Sequence, residues 1–371
     1  MPVIPVPSPD RLERAQRAVA AAGWEALLLS AGTDLRYLTG YNAHPSERLT
    51  CLVVPAEGES LLIVPELEAP MVKAAGATIG LRAWAETEDP FALVAGHLRK
   101  VGPPGRVGIG NRMWAEHALQ LGSATGSRAE LAGPLMAQLR MRKDDAEAAA
   151  LFEAGRAIDR VHARMAEWLR PRRTEREVGR DIAEAIVAEG HESAEFTIVG
   201  SGPNGASPHH LLSDRVIETG DLVVVDIGGV TEAGYFSDST RTYVAGGRVA
   251  PEVIDLYGVL QAAQEAACRA VAPGVSAAAV DATARGIIEQ AGYGANFIHR
   301  TGHGIGLDVH EDPYIVSGND IPLEAGMAFS IEPGIYISGR YGARIEDIVI
   351  CTADGVQRLN TGSRDLLTLG A

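Results

Sequence analysis

The chain has 371 residues, more than one hydrophobic core usually spans, so two domains are expected. Hydrophobic residues make up 46% and charged residues 22%, an ordinary globular balance, and no apolar run approaches the roughly 20 residues needed to cross a bilayer. The formal net charge of −15 argues against nucleic acid as a partner, because a polyanion would be repelled at long range.

Three cysteines, Cys51, Cys268 and Cys351, lie far apart in the chain and form no CxxC pair. Extracellular chains of this size more often carry paired cysteines, so a reducing cytoplasm is favoured. The first seven residues lack a basic segment followed by a long apolar stretch, and we therefore expect no signal peptide. These features predict a cytoplasmic protein that does not act at a membrane.

Residues 1–138 predict a smaller α/β domain. Ser8 and Pro9 supply a capping hydroxyl and a first-turn proline for an alanine-rich helix that should end near Gly23. Apolar runs at 26–29, 52–54 and 61–64 predict strands, and helical patterns occur near 65–75 and 90–100. Because this part holds no cluster of metal-binding or nucleophilic residues, we expect a role in specificity or assembly.

Residues 139–371 predict an α+β domain. The charged stretch 140–145 should open a helix that runs to about Leu169, and Thr174 with Glu177 fits a capping box for a second helix that ends near Gly190. Strands at 196–199 and 222–227, a hairpin to 235–243, helices at 251–271 and 277–291, and a strand-rich C-terminus follow. Helices and strands grouped in this way indicate α+β rather than a repeating βα barrel.

Two aspartates lie on a predicted hairpin. Asp226 is expected to end the apolar strand 222–225, where an unneutralised charge is costly to bury; the alternative is a turn-forming Asp before two glycines. Asp238 follows across the hairpin, and paired strands would place both carboxylates on one face. Two like charges that face each other destabilise a hairpin unless a cation lies between them, so this pair is the first indication of a metal.

Further acidic and imidazole side chains occur in the last quarter of the chain. His303 has glycines on both sides, and His310 follows seven residues later. Glu332 ends an apolar run, and Glu346 lies among strand formers. Arg344 would share a strand face with Glu346; the simpler interpretation is a surface ion pair worth at most about 1 kcal/mol.

Four carboxylates near one point repel by about 4 kcal/mol per pair at 4 Å and an effective dielectric constant of 20. Two divalent cations would balance them, and an oxygen-rich set with one imidazole suits Mn²⁺, with Co²⁺ or Zn²⁺ as alternatives. A water that bridges two such ions becomes a hydroxide nucleophile near neutral pH. The candidate ligands are Asp226, Asp238, His303, Glu332 and Glu346.

These segments resemble the pita-bread-fold metallopeptidases, specifically the branch of Xaa-Pro dipeptidases (prolidases) and Xaa-Pro aminopeptidases. The matching elements are Val225-Asp226-Ile227-Gly228, Ser237-Asp238-Ser239-Thr240-Arg241-Thr242, Gly302-His303-Gly304-Ile305-Gly306-Leu307-Asp308-Val309-His310, Ile331-Glu332-Pro333-Gly334, Arg344-Ile345-Glu346-Asp347 and Pro208-His209. Residues 34–40 are similar to a creatinase-type N-terminal domain. The resemblance implies such a domain at 1–138 and a pita-bread catalytic domain at 139–371.

The resemblance also implies a division of the metal ligands. Asp226 would chelate one ion, His303 and Glu332 would hold the other, and Asp238 and Glu346 would bridge them. Glu332 would in addition be the general base as a metal-bridging hydroxide attacks the scissile carbonyl.

Further roles follow from the same resemblance. His209 and His310 would bind the scissile carbonyl and stabilise the tetrahedral intermediate, and Arg344 would orient the bridging carboxylates. His210 competes with His209 for this role, although the distance along the chain to Asp226 favours His209. The implied activity is hydrolysis of the Xaa-Pro bond at the N-terminus of dipeptides or short peptides by a homodimer.

Two features depart from the family pattern. Asp226 and Asp238 are twelve residues apart rather than the common eleven, so we expect a bulge or a wider turn that keeps the ligand geometry. Many dipeptidases carry an arginine directly after the proline that follows the second histidine, where it suits a substrate carboxylate. Here Tyr314 follows Pro313, so the sequence does not decide between dipeptidase and aminopeptidase.

Other functions of this fold differ in the residues that they require. A peptidase of the same fold without strict proline preference stays open. A non-catalytic pita-bread binding protein would typically lack some ligands, and a metal-independent hydrolase of the creatinase type would need no carboxylate cluster. Methionine aminopeptidases share the fold but usually lack a large N-terminal domain.

Overall fold

A computed structural model describes residues 10–76 and 79–370. Contacts divide the chain into two compact units that meet in sequence at Arg140 and Met141. The predicted capping residues Ser8 and Pro9, and the N-terminal segment expected not to be a signal peptide, lie outside the described residues. Within the described ranges, no helix combines the length and apolar character that a membrane span requires.

The first unit is built around a six-stranded mixed sheet in the order β4-β3-β2-β1-β5-β6. Its strands are β1 (Ala26–Ser30), β2 (Cys51–Pro55), β3 (Leu61–Pro65), β4 (Gly80–Trp84), β5 (Arg106–Ile109) and β6 (Arg128–Leu131). Its helices are α1 (Asp10–Ala21), α2 (Thr33–Thr39), α3 (Ala69–Ala74), α4 (Pro90–Val101), α5 (Ala115–Thr125) and α6 (Gly133–Arg140). The apolar faces of β1, β2 and β5 form its core with α4 and α5.

The strands β1, β2 and β3 coincide with the three apolar runs, and α4 with the helix predicted near 90–100. The helix predicted at 65–75 is split into a 3₁₀ turn, Glu66–Glu68, and α3. The sequence patterns did not indicate β4 and β6. Strand β6 is mostly exposed, and β4 alternates between exposed and partly buried residues before the buried Trp84, so neither carries the apolar run that marks a buried strand.

The second unit contains four α-helices in its described residues: α7 (Asp145–Ala163), α8 (Glu175–Ala188), α9 (Pro251–Ala270) and α10 (Ala277–Gln290). The capping box of Thr174 and Glu177 at the start of α8 is confirmed. The long helix predicted from residue 140 starts later, after a second capping box of Asp144 and Glu147, and a 3₁₀ turn follows its end. Arg140 instead ends α6, because the chain changes units at this point.

Three sheets complete the second unit. Their strands are β7 (His191–Ser201), β8 (Leu222–Thr231), β9 (Ser239–Ala245), β10 (Gly302–Gly304), β11 (Glu311–Ile315), β12 (Ala328–Ile331), β13 (Gly334–Ile337), β14 (Tyr341–Arg344), β15 (Asp347–Thr352), β16 (Gly355–Arg358) and β17 (Leu367–Leu369). The sheet orders are β17-β9-β8-β7, β11-β10-β12-β15-β16 and the pair β13-β14.

Strand β8 is buried on both faces. Val223, Val225 and Ile227 pack into a core cluster with residues of α7 and α8. Because side chains alternate along a strand, Asp226 lies on the opposite face. The strand does not end at Asp226 as predicted but continues to Thr231, so the turn interpretation of this aspartate was wrong.

Gly228 explains why the strand can continue through its two glycines. A Cβ atom at this position would lie 2.4 Å from the backbone oxygen of Ser237 and 2.5 Å from the ring of Phe196. Neither neighbour leaves room for a side chain, so glycine is required here for close packing rather than for a turn.

The hairpin of β8 and β9 keeps one register along its paired residues. Asp226 lies opposite Thr240, and an isolated bridge joins Val230 to Phe236 in the same register. The expected bulge does not occur among these pairs; irregularities are found instead between β7 and β8. Asp238 lies two residues before Thr240 and therefore on the same face as Asp226.

Candidate metal centre

A cavity of about 640 Å³ opens in the second unit, and five carboxylates lie in its wall. All eight side chains singled out in the sequence as metal ligands or as catalytic groups line it: His209, Asp226, Asp238, His303, His310, Glu332, Arg344 and Glu346. Strand β8 and the hairpin to β9 contribute the two aspartates. Strand β10 carries His303, and Glu332 directly follows the end of β12. Glu346 lies between β14 and β15.

Three of these side chains form a compact group. Asp238, His303 and Glu346 each offer one ligand atom, and these atoms lie within 4.8 Å of one another. His303 Nε2 is 3.5 Å from Asp238 Oδ2 and 3.2 Å from Glu332 Oε1. Carboxylates and an imidazole at such separations are typical of a site for a divalent cation.

The surroundings of His303 fix how its ring is presented. Nδ1 lies 3.1 Å from the carbonyl oxygen of Gly304, which can only accept, so in the neutral ring Nδ1 carries the proton. The lone pair of Nε2 then faces the carboxylates, as a metal ligand requires. The hydroxyl of Ser330 accepts from the backbone N–H of His303 and donates to Glu332 Oε1 at 3.1 Å.

Two buried carboxylate oxygens, Asp226 Oδ1 and Glu346 Oε1, have no hydrogen-bond partner among the described residues. The second oxygen of each group is held: Asp226 Oδ2 accepts from Arg344 Nη2 at 2.6 Å, and Glu346 Oε2 accepts from Thr240 Oγ1 at 2.7 Å. Buried polar atoms without partners are costly and rare. The donor set therefore fits divalent cations, which would satisfy both oxygens.

The carboxylates of the cluster repel one another, and this repulsion affects their pKa values. Burial, followed by the nearby carboxylates, raises the pKa values of Asp238 and Glu346 well above their ordinary range. Burial acts in the same direction on Glu332, but in the metal-free site a doubly protonated His303, whose Nε2 then donates to Glu332, outweighs burial and lowers the pKa of Glu332 to about 2. Cations would compete with the protons on the first two groups and stabilise their ionised forms.

Arg344 is placed differently from the sequence prediction. Its Nη2 donates to Asp226, its Nε to Thr240 Oγ1 at 3.1 Å, and its Nη1 to Tyr336 OH at 2.7 Å. Arg344 was predicted to orient the bridging carboxylates, yet its direct carboxylate partner is Asp226, and it reaches Glu346 only through the Thr240 hydroxyl. The surface ion-pair interpretation was wrong, because Arg344 is 2% and Glu346 1% exposed.

The side chains of the two adjacent histidines in the loop after β7 lie in different surroundings. His209 lines the cavity, whereas His210 Nε2 lies 2.7 Å from the buried carboxylate of Glu175. His310 stands edge-on to His303, with ring centroids 4.2 Å apart. Burial, and then the neighbouring His303 and Arg300, lowers the pKa of His310 to about 4, so that it is neutral at physiological pH.

Several residues of the cavity wall were not predicted from the sequence. His299 accepts a hydrogen bond from Tyr336 OH at 2.9 Å, because its Nδ1 lies 2.7 Å from the carbonyl oxygen of Arg300 and so carries the proton. The remaining additions are Glu195, Phe196, Ile198 and Arg300, whereas Pro208 and Val309, which also line the cavity, lie in segments that carried the resemblance. Alternation along β7 could have indicated Phe196 and Ile198 as one face, but no local signal marks His299 or Arg300.

Comparisons with known proteins extend these findings. Residues 149–353 match the metallopeptidase family M24, and residues 11–142 match the creatinase/prolidase N-terminal domain. The "Probable dipeptidase PepE" of Mycobacterium tuberculosis is 52% identical over 97% of this chain and 96% of the relative. The "Xaa-Pro dipeptidase" of Lactobacillus delbrueckii subsp. lactis is 36% identical over 96% of this chain and 98% of the relative. The crystal structure of dipeptidase PepE from Mycobacterium ulcerans superposes with a TM-score of 0.92 at 52% identity, covering 98% of both chains.

The agreement extends along almost the whole chain and includes both units. It confirms the pita-bread fold with a creatinase-type N-terminal domain, and it identifies an enzyme that hydrolyses peptides rather than a non-catalytic binding protein. Divalent metal ions are implied by the family, and the group of Asp238, His303 and Glu346 is a possible place for one. This chain belongs to the metallopeptidase family M24.

Proposed function

We propose that the enzyme is a dinuclear metal-dependent peptidase that hydrolyses the Xaa-Pro bond at the N-terminus of dipeptides or short peptides. The observation that carries this proposal is the pair of buried, unpartnered oxygens on Asp226 and Glu346 beside the compact group around His303. A single cation near His303 would neutralise only part of four carboxylates, whereas two would balance the charge. The names of the relatives support the same class of substrate.

The proposed ligands are Asp226, Asp238, His303, Glu332 and Glu346, and the oxygen-rich set favours Mn²⁺ over metals that prefer soft ligands. When bound, the two ions supply Lewis-acid activation of a water and of the scissile carbonyl.

The side chains of this chain divide the remaining work. Glu332 would act as the general base and take the proton released by the attacking water. The Ser330 hydroxyl holds one of its oxygens in place. His209 and His310 provide ring N–H groups to the carbonyl oxygen as negative charge develops on it. The lowered pKa of His310 makes this ring a neutral donor at physiological pH.

The proline preference is supported by the apolar wall of the cavity. Phe196, Ile198 and Val309 line it and would suit a pyrrolidine ring, which has no N–H to satisfy. The alternative is a peptidase of the same fold that accepts any second residue, since an apolar wall also accommodates other small side chains.

The test is a comparison of Ala-Pro, Ala-Pro-Ala and Ala-Ala as substrates of the protein loaded with Mn²⁺, Co²⁺ or Zn²⁺, with the metal content measured on the same preparation. Turnover of Ala-Pro at least about 10-fold faster in kcat/KM than that of Ala-Ala is expected. Equal rates would favour the alternative without proline preference, and an inactive, fully loaded protein would contradict the peptidase proposal.

We also propose a cytoplasmic homodimer that binds neither nucleic acid nor membranes. The net charge of −15 supports the exclusion of nucleic acid, and the family resemblance supports the dimer. Sedimentation equilibrium of the purified protein tests the dimer directly, since a monomer at micromolar concentration would contradict it.

A further inference from the structure

Two buried histidines outside the cavity contact the segment that carries Asp238. His162, near the end of α7, is 7% exposed, and His191, the first residue of β7, is 4% exposed. His162 Nε2 lies 3.2 Å from the carbonyl oxygen of Ser239, and His191 Nε2 lies 2.7 Å from the hydroxyl of Ser237. The two imidazoles therefore bind the chain on either side of Asp238.

The segment at Asp238 interrupts the regular pairing of the hairpin. Strand β9 begins at Ser239, and the next bridge toward the turn joins Phe236 to Val230. In this register Asp238 lies opposite Gly228, which has no side chain to contact it. Pairing with β8 therefore gives the side chain of this candidate ligand no cross-strand neighbour, and its position depends on contacts with other elements.

The partners of His162 determine which of its ring nitrogens carries the proton. The carbonyl oxygen of Ser239 can only accept, so Nε2 donates to it, and Nδ1 accepts from the hydroxyl of Tyr243 at 2.9 Å. Burial, followed by the charge of Arg241, lowers the pKa of His162 to about 3, so the ring is neutral at physiological pH. A neutral imidazole has one donor and one acceptor, and both are used here.

His191 has the opposite tautomer. Its Nδ1 lies 3.2 Å from the carbonyl oxygen of Ile186 and therefore carries the proton, so Nε2 accepts from the Ser237 hydroxyl. The same hydroxyl accepts from the backbone N–H of Gly229 at 3.1 Å. Burial lowers the pKa of His191 as well. One chain of hydrogen bonds thus joins Ser237 to β8 and to the start of β7.

Both imidazoles lie next to the hydrophobic core of the second unit. Val161, the residue before His162, and Ile186, whose carbonyl oxygen binds His191, belong to the core cluster of α7, α8 and β8. Asp238 lines the cavity. Contacts from a closely packed core leave the backbone little freedom, which lowers the entropic cost when a ligand side chain binds a cation.

We propose that His162 and His191 are positioning residues that hold the backbone on both sides of Asp238 and so raise the affinity of the cavity for divalent cations. The inference rests on the proposed function, because it concerns the ions of that site. It goes beyond that function by assigning a role to two residues that do not line the cavity. Loss of either imidazole releases one side of the segment but leaves every candidate ligand in place.

Calorimetric titration of Mn²⁺ into the metal-free, full-length protein is the test. His162→Phe keeps an aromatic ring but removes the donor to Ser239, and it should raise the Kd for Mn²⁺ by about 10- to 100-fold, the usual effect of losing a group that orients a metal ligand. Ser237→Ala removes only the hydroxyl that binds His191 and should raise this Kd by about 10-fold. An unchanged Kd in either variant would overturn the role of the corresponding imidazole.

A rescue variant and a matched control separate positioning from general packing. His162→Gln places an amide N–H near the site of Nε2 and should restore most of the Mn²⁺ affinity that His162→Phe loses. The control is His117→Phe in the first unit. His117 is 5% exposed and its Nε2 also lies 3.2 Å from a backbone carbonyl oxygen, that of Glu47, but it does not line the cavity. The control should keep the wild-type Kd; an equal rise in Kd for His117→Phe and His162→Phe would overturn the proposal.

Hydrogen exchange of the metal-free protein separates this inference from the proposed function. Peptides that cover residues 236–240 should exchange about 10-fold faster in His162→Phe than in the wild type, whereas His117→Phe should leave them unchanged. This result supports the positioning role even if no peptide substrate is hydrolysed, and a loaded but inactive enzyme would then contradict the proposed activity alone. Exchange at residues 236–240 as slow in His162→Phe as in the wild type would overturn the positioning role.

Discussion

Asp226 and Glu346 share one arrangement of their carboxylate oxygens. In each, one oxygen accepts a hydrogen bond from a neighbouring side chain, and the other is buried without a partner in the described structure. The bonded oxygen fixes the orientation of the group, and both residues line the same cavity as the remaining ligands. A fixed carboxylate loses little entropy when a cation binds, which favours tight binding.

Asp238 is the ligand whose replacement tests this arrangement most simply. Asp238→Asn removes one negative charge at nearly constant volume, so we expect the metal content to fall and kcat/KM to drop by more than about 100-fold. Elemental analysis of the purified variant and peptide assays measure the two effects. Asp255→Asn, on the exposed face of α9, is the control and should retain both; unchanged metal in Asp238→Asn would contradict the ligand assignment.

The pH dependence of stability tests the two carboxyls with raised pKa values, Asp238 and Glu346. Below their ordinary pKa of about 4, folded and unfolded chains both hold these protons. Above it, the metal-free folded protein retains protons that the unfolded chain has released, so its free energy of unfolding falls as pH rises toward the raised values. Cations displace these protons, and stabilisation by Mn²⁺ should therefore grow with pH.

Urea unfolding between pH 5 and 8, with and without Mn²⁺, measures both effects. An Asp238→Asn/Glu346→Gln variant is the reference, because histidines with lowered pKa values are present in both proteins and cancel in the difference. A metal-free wild type that gains stability relative to this variant as pH rises would contradict the prediction.

At the scale of secondary structure, the start of α8 holds the loop that carries His209. The carboxylate of Glu175, in the first turn of α8, accepts hydrogen bonds from Ser201, Asn204, His210 and Ser213. It is fully buried, and this donor set outweighs burial and lowers its pKa. The loop between β7 and β8 is thus tied to a helix terminus.

Glu175→Ala should leave several buried donors unsatisfied. We expect a loss of about 2–4 kcal/mol in the free energy of unfolding and a lower kcat, since His209 loses its fixed position. Urea denaturation and peptide assays check the two results. Glu184→Ala, on the exposed side of the same helix, should change neither; equal stability of the two variants would show that the Glu175 contacts contribute nothing.

The hairpin of β8 and β9 depends on close packing at Gly228. In Gly228→Ala the added methyl group would lie 2.4 Å from a backbone oxygen that cannot withdraw easily, so a loss of about 1–3 kcal/mol is expected. Gly258→Ala, in α9 with open space around its Cα, is the control and should stabilise the protein by up to about 1 kcal/mol. Thermal unfolding of both variants compares them, and a stable Gly228→Ala would contradict the packing account.

The sequence predicted those elements whose characteristic pattern lies within one short segment of the chain. The capping box at Thr174 and the apolar runs of β1 to β3 are examples, and each candidate ligand lies in a distinctive short segment. The prediction that the strand ends at Asp226 was wrong, because Gly228 is required for close packing against Phe196 and Ser237 rather than for a turn. The stacking of Arg300 on Tyr314 also depends on a pairing between separate strands, which no local pattern records.

At the scale of the whole molecule, the second unit brings together residues from position 195 to position 346 around one cavity. Three separate sheets contribute to it, so the ligand set forms only when the unit is folded. Binding of cations is then coupled to folding, and each bound ion should make the protein more stable by about 2.7 kcal/mol at a free metal concentration 100-fold above its Kd.

Anomalous X-ray diffraction from crystals of the Mn²⁺-loaded protein tests the central claim most directly. The account predicts two manganese peaks per chain in the cavity, each within bonding distance of carboxylate oxygens among Asp226, Asp238, Glu332 and Glu346, with His303 bound to one of them. A fully loaded protein with no peak in this cavity, or with all its manganese bound to other residues, would contradict it.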